Sequence, residues 1–191
     1  IEVTNTGDLV IDNFFGLVTG WAVENDAPVG IVTITNTGAI SIPGIYGNGI
    51  FADGTITITA KSASIDGTDY FGDITGDGGG FGGGITAIES YSGNVVVDAD
   101  GYIYFGVNSY SDIYTNEGKG YISLTAGEDI TIDNDTYVNS DNGDITITAG
   151  GAFSLLATND NDAWVSATDY DSDFITGNVK VTAQGTGGIT V

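Results

Sequence analysis

A single short phrase recurs along this chain: two apolar residues alternating with polar ones, a polar corner usually holding glycine, then a second alternating pair. Its copies read IEVTNTGDLVI from residue 1, IVTITNTGAISI from 31, TITITAKSASI from 55, NVVVDADGYIYF from 94, YISLTAGEDITI from 121, DITITAGGAFSL from 144 and NVKVTAQGTGGITV from 178. Self-similarity at spacings of about 20 to 50 residues is the mark of units that stack and share one core. The repeat therefore constrains the fold more than any single residue does.

Period-two alternation puts every second side chain on one face of a strand. On the first strand of each copy the inward set is Ile1 and Val3, Val32 and Ile34, Ile56 and Ile58, Val95 and Val97, Ile122 and Leu124, Ile145 and Ile147, and Val179 and Val181. On the second it is Leu9 and Ile11, Ile40 and Ile42, Ala63 and Ile65, Ile103 and Phe105, Ile130 and Ile132, Phe153 and Leu155, and Ile189 and Val191. Most copies keep a six-residue step between the two strands, as from Leu124 to Ile130, so the corner is a fixed bend.

Glycines fall in register with the repeat. Gly30, Gly54, Gly93, Gly120, Gly143 and Gly177 lie two residues before the first inward position, and Gly7, Gly38, Gly101, Gly127 and Gly151 mark the corner. Freedom to reach positive φ makes glycine the expected residue at such bends. The copy at Tyr121 returns at Asp144, a period of 23 residues. That length suits one turn of a parallel β-helix with three short strands per coil. A hairpin meander packed as an antiparallel sandwich competes, but gives no reason for successive strand pairs to repeat one phrase. The expected fold is all-β: a right-handed parallel β-helix of about seven coils, forming a rod about 34 Å long at the 4.8 Å strand spacing. Residues 1–191 read as a single solenoid segment. A start at Ile1 inside the first strand, and an end at Val191 inside a second strand, suggest an internal stretch of a longer chain or a subunit that stacks end to end.

Charge narrows the partners. The chain carries 26 acidic residues against Lys61, Lys119 and Lys180 only, for a net charge of −23, with no Arg, His, Cys or Met. No basic patch exists to neutralise phosphate, so nucleic acid is excluded, and anionic membranes are repelled. No apolar run reaches the length of a membrane span. A cysteine-free acidic chain suits the cell exterior, where salt or calcium screens the charge.

The stretches DITITAGGAFSL, YISLTAGEDITID and VTITNTGAISI resemble the repeats of filamentous-haemagglutinin-type and autotransporter-passenger β-helices, secreted surface adhesins of Gram-negative bacteria. The likeness covers nearly the whole chain. It implies export, a rod-like shaft, and adhesion or scaffold work without chemistry.

Candidate chemistry is sparse. Polysaccharide-degrading enzymes also use parallel β-helices, yet without Arg or His most catalytic constellations of lyases cannot be built, and carboxylate pairs such as Asp171 with Asp173 fall in a loop. Catalysis is not expected. No cofactor is required; calcium is the ion that the oxygen-rich runs 133–144 and 159–173 suit, with Asp133, Asp135, Asp169, Asp171 and Asp173 as candidate ligands. Neither run completes an EF-hand, since Lys180 occupies the twelfth position counted from Asp169, and a solvated acidic loop is the preferred reading of both. Outward threonines form a column, Thr4, Thr35, Thr59, Thr125, Thr148 and Thr182 broken by Asp98, beside a second one interrupted by Glu2, Val96 and Lys180. Such pairs resemble ice-binding faces, although threonine is also simply a good strand former. Aromatic residues, among them Tyr102, Tyr104, Tyr114, Tyr121 and Trp164, gather away from the core strands, where they suit stacking on sugars or on a neighbouring fibre. The excursion at 66–92, with GGGFGGG inside it, reads as a lateral contact or flap. Taken together, the sequence points to a non-enzymatic shaft of an extracellular fibre or surface adhesin, whose partners are other copies of itself and surface glycans. A carbohydrate-binding or polysaccharide-degrading β-helix, and then an ice-binding solenoid, stand as alternatives.

Overall fold

The structure is a computed structural model describing residues 1–11, 17–19, 30–43, 50–77, 86–106, 111–115, 120–134, 136–157, 162–167 and 177–191. Every regular element among them is a strand. Three parallel sheets take successive strands in turn, and the chain stacks them as a β-solenoid.

The first sheet holds the first strand of each copy: Glu2–Thr6, Val32–Thr37, Ile56–Lys61, Val95–Ala99, Ile122–Ala126, Ile145–Ala149 and Val179–Ala183. The second holds Leu9–Val10, Ile40–Pro43, Ile74–Asp77, Ile103–Gly106, Ile130–Asp133, Phe153–Leu156 and Ile189–Thr190. The third runs Leu17–Thr19, Ile50–Ala52, Thr86–Ser90, Ser111–Thr115, Thr136–Ser140 and Ala163–Ser166. Pairing is in register throughout, so equivalent residues of the repeat lie above one another: Ile58 pairs Val97, Val97 pairs Leu124 and Leu124 pairs Ile147.

Alternation then delivers the core. In the first sheet Val32, Ile34, Ile56, Ile58, Val95, Val97, Ile122, Leu124, Ile145 and Ile147 are buried, and the second adds Ile40, Ile42, Ile74, Ile103, Phe105, Ile130, Ile132 and Phe153. Ile50, Ile88, Ile113 and Val138 close the third side. Each such side chain contributes about 1.5–3 kcal/mol when removed from water. Phe105, the largest insertion into its column, sits in register beside Gly76, which has no side chain to compete for the space.

One column changes identity along the rod. Asn5 and Asn36 pair in register, and the same position is Ala in the five later first-sheet strands. Asn36 is fully buried and spends its amide on the Gly7 and Ala39 carbonyls, at 2.9 Å each, while its Oδ1 accepts from Asn5 Nδ2 at 2.8 Å. A buried amide is tolerated there because it bonds to the corner carbonyls; alanine simply leaves them to the ladder.

Three expectations need correction. Ala63 and Ile65 are not inward second-strand residues: Ala63–Ile65 pairs antiparallel with Thr68–Tyr70 in a hairpin that leaves Ile65 40% exposed. Asp66 and Gly67, with φ of 52° and 81°, form its two-residue turn, which requires positive φ at both positions. The second strand of that copy is Ile74–Asp77 instead, with Ile74 buried. The corner glycines, secondly, are not one column. Gly7, Gly38, Gly101 and Gly151 each lie two residues before their second strand, whereas Gly127 lies three residues before Ile130 and its N–H bonds to Ala99. Thirdly, the glycines before the first strand are selected by room and not by φ. Positive φ occurs at Gly7 and Gly38 but at none of Gly93, Gly120, Gly143 or Gly177. At Gly120 an added Cβ would run into the Gly93 carbonyl, and at Gly143 into that of Gly120.

Candidate functional site

The corner entering each first strand is built from that glycine column and a small hydroxyl column on the third sheet. Ser90, Thr115 and Ser140 are buried and stacked in register. Ser140 Oγ donates to Gly120 O at 2.8 Å and accepts from Gly143 N at 3.0 Å; Ser90 Oγ does the same with Gly54 O and Gly93 N at 2.9 Å each. These hydroxyls satisfy backbone groups that fan apart as the chain turns, and they are structural.

Acidic side chains do comparable work at the rims. Asp129 accepts from Ala152 N at 2.7 Å, Asp73 from Tyr102 N at 3.1 Å, Asp100 from Ser62 N at 2.8 Å and Asp144 from Asn178 N at 2.8 Å. Each bond crosses to an adjacent coil, so part of the acidic excess clamps neighbouring corners together. At Asp144 the Asn178 N–H, then the Asn178 side-chain amide at 3.0 Å, hold the carboxyl below its ordinary range against a weaker opposing push from desolvation.

Of the candidate calcium ligands, Asp133 closes the strand Ile130–Asp133. Its Oδ1 accepts from Asn134 N at 2.8 Å and its Oδ2 from Tyr104 OH at 3.3 Å. Asp135, Asp169, Asp171 and Asp173 lie outside the described residues. Among the described residues no three acidic side chains converge as a metal site. The threonine columns are in register as expected: Thr35 pairs Thr59, Thr59 pairs Asp98 and Thr125 pairs Thr148.

The outward side of the third sheet is where aromatic and hydrogen-bonding side chains meet. Tyr137 and Trp164 are cross-strand neighbours with ring centroids 4.1 Å apart and planes tilted by 36°, and Trp164 is 48% exposed. Two residues further along the same strands, Tyr114, Asn139 and Ser166 form a second outward column. Asp141, only 7% exposed, accepts from Tyr114 OH at 2.8 Å and from Asn139 Nδ2 at 3.1 Å. Asn139 Oδ1 is out of solvent and takes no hydrogen bond. Sequence reasoning noted Tyr114 and Trp164 singly but missed Tyr137, Asn139 and Asp141 as their neighbours. The signal was a third phrase of small, variable, aliphatic, variable, small residues, seen in Ser111–Thr115, Thr136–Ser140 and residues 163–167.

Compared with family models, curated proteins and solved structures, the chain matches none, so its own residues carry the functional reading.

Proposed function

We propose that this chain is the shaft of an extracellular fibre or surface adhesin, acting by mechanical continuity without catalysing a reaction. The observation that supports the reading most is constancy: in-register ladders, a space-limited glycine column and inter-coil carboxylate clamps persist through the repeats, while the connections between them vary in length. That pattern fits a part that must extend and hold, with recognition left to the surface. On this reading the helix is right-handed by the rule for parallel crossovers, with one coil for each of the seven copies. Its surroundings are the cell exterior, its partners other rods and glycans, and calcium a screening or loop-bound ion. The likeness to haemagglutinin-type and autotransporter-passenger repeats belongs to the same proposal.

Electron microscopy of the native polypeptide, combined with antibody labelling of intact cells, tests it. Straight rods lengthening by about 4.8 Å per coil and displayed outside the cell are expected. A compact intracellular particle, or release of reducing ends from polysaccharide, would count against it. The register of the threonine columns favours a second reading, ice binding; thermal hysteresis in the purified protein separates that from a shaft, which gives none.

A further inference from the structure

A pyranose ring has an apolar face of C–H groups and a rim of hydroxyls. A protein surface that takes it offers an exposed aromatic ring beside hydrogen-bonding side chains. The third sheet supplies both on adjacent columns. Tyr137 and Trp164 form a platform with its indole half in solvent. Tyr114, Asn139 and Ser166 follow two residues along, roughly 6.6–6.8 Å away at the rise of a strand, about the width of one sugar.

Behind this second column Asp141 holds the Tyr114 phenol and the Asn139 amide, so both are oriented before any ligand arrives. Fixing them in advance lowers the entropy cost of binding. Coil stacking aligns the second column along the rod axis, because Tyr114, Asn139 and Ser166 are successive members of one ladder.

Charge chooses among sugars. Glu89 and Asp141 are acidic residues at the described third sheet, and the described lysines, Lys61 and Lys180, lie on the first sheet. The chain's net charge of −23 disfavours uronates, sulfated glycans and nucleic acid here.

We propose that the outward face of the third sheet, from Tyr114 to Trp164, binds a chain of uncharged sugars, with Tyr137 and Trp164 as the stacking platform and Tyr114, Asn139 and Ser166 as hydroxyl partners. This makes the glycan partner of the proposed function specific and rests on that part of the reading alone; a rod that is not a shaft could still carry such a face.

Calorimetric titration of the whole chain with cellohexaose, with chitohexaose and with polygalacturonate tests the proposal. At least one neutral hexamer binds and polygalacturonate does not. Trp164→Ala and Tyr137→Ala each weaken that binding at least about tenfold, an amount equal to one modest stacking contact. Thr148→Ala, on the first sheet, leaves it unchanged. Both aromatic side chains point outward, so the thermal midpoints of the variants stay at the wild-type value; a midpoint drop shifts the decision to Trp164→Phe, which keeps a ring and retains binding. Failure of both neutral hexamers to bind the wild-type chain overturns the proposal. So does binding that survives Trp164→Ala in a folded variant, or binding of polygalacturonate with equal strength.

Discussion

Gly120 shows how closely neighbouring coils approach. A Cβ there would meet the Gly93 carbonyl oxygen and the Thr115 side chain, and the carbonyl belongs to a backbone held by its own ladder. Gly120→Ala is therefore expected to destabilise by about 1–3 kcal/mol through overpacking. Gly67→Ala, with open space around it, is strained only by its positive φ. Urea unfolding of Gly120→Ala checks the first; an unchanged midpoint would mean that coils can spread at that corner. Asp144 gives a pH dependence whose direction is fixed. Its folded pKa is lowered, so its contribution is complete above the ordinary carboxylate value of about 3.9 and is lost as pH falls through the lowered folded value. Asp144→Asn should be less stable than wild type near neutrality and converge with it in acid. Thermal midpoints of the two proteins across that range would read the difference, which is small because the group is exposed.

At the level of elements, the hairpin at Ala63–Tyr70 is an insertion into a corner that is otherwise complete. Removing residues 62–71 joins Lys61 to Gly72 and restores the six-residue step from Ile58 to Ile74, matching Leu124 to Ile130. The shortened protein is expected to fold with stability within about 2 kcal/mol of the parent, since the bonds lost are the exposed one from Ser62 N to Asp100 and the partly buried one from Gly72 N to Ser62 Oγ. Loss of the cooperative transition would show that the hairpin supports its coil. The first strands and most second strands were legible in the sequence because their alternation is strict and their partners repeat. The misreading of Ala63 and Ile65 had a local cause: they alternate too, and at nearly the right spacing, while the Asp66-Gly67 turn signal argued for a hairpin. The third strands were hidden because only their central aliphatic residue, such as Ile113 or Val138, is large and buried, while the flanking inward positions are small. A single apolar residue per strand gives no period to detect, and the platform of Tyr137 and Trp164 stayed hidden with it.

For the whole molecule, charge of one sign is spread over a narrow rod, and repulsion between coils opposes stacking at low ionic strength. Sodium chloride should therefore raise the thermal midpoint. Calcium chloride at the same ionic strength is expected to raise it equally, the outcome of screening alone. A larger, saturating rise with calcium would instead mark bound ions, and Asp171→Asn with Asp173→Asn should then remove the excess. The overall architecture was readable because one rule, stacking in register, acts at every copy. Candidate ligands were less so, because Asp and Asn are favoured in turns for backbone reasons; Asp133, a candidate ligand in the sequence, accepts from Asn134 N and Tyr104 OH in the fold.

The in-register stacking has one more consequence, for inheritance. Neighbouring coils meet through nearly interchangeable surfaces: Val97 lies between Ile58 and Leu124, and Leu124 between Val97 and Ile147. A duplication of one period adds a coil whose upper and lower faces already fit, and a deletion closes the gap with the same fit. Rod length is thus a quantity that recombination can change in whole steps, without waiting for compensating substitutions, while each corner remains free to acquire its own insertion.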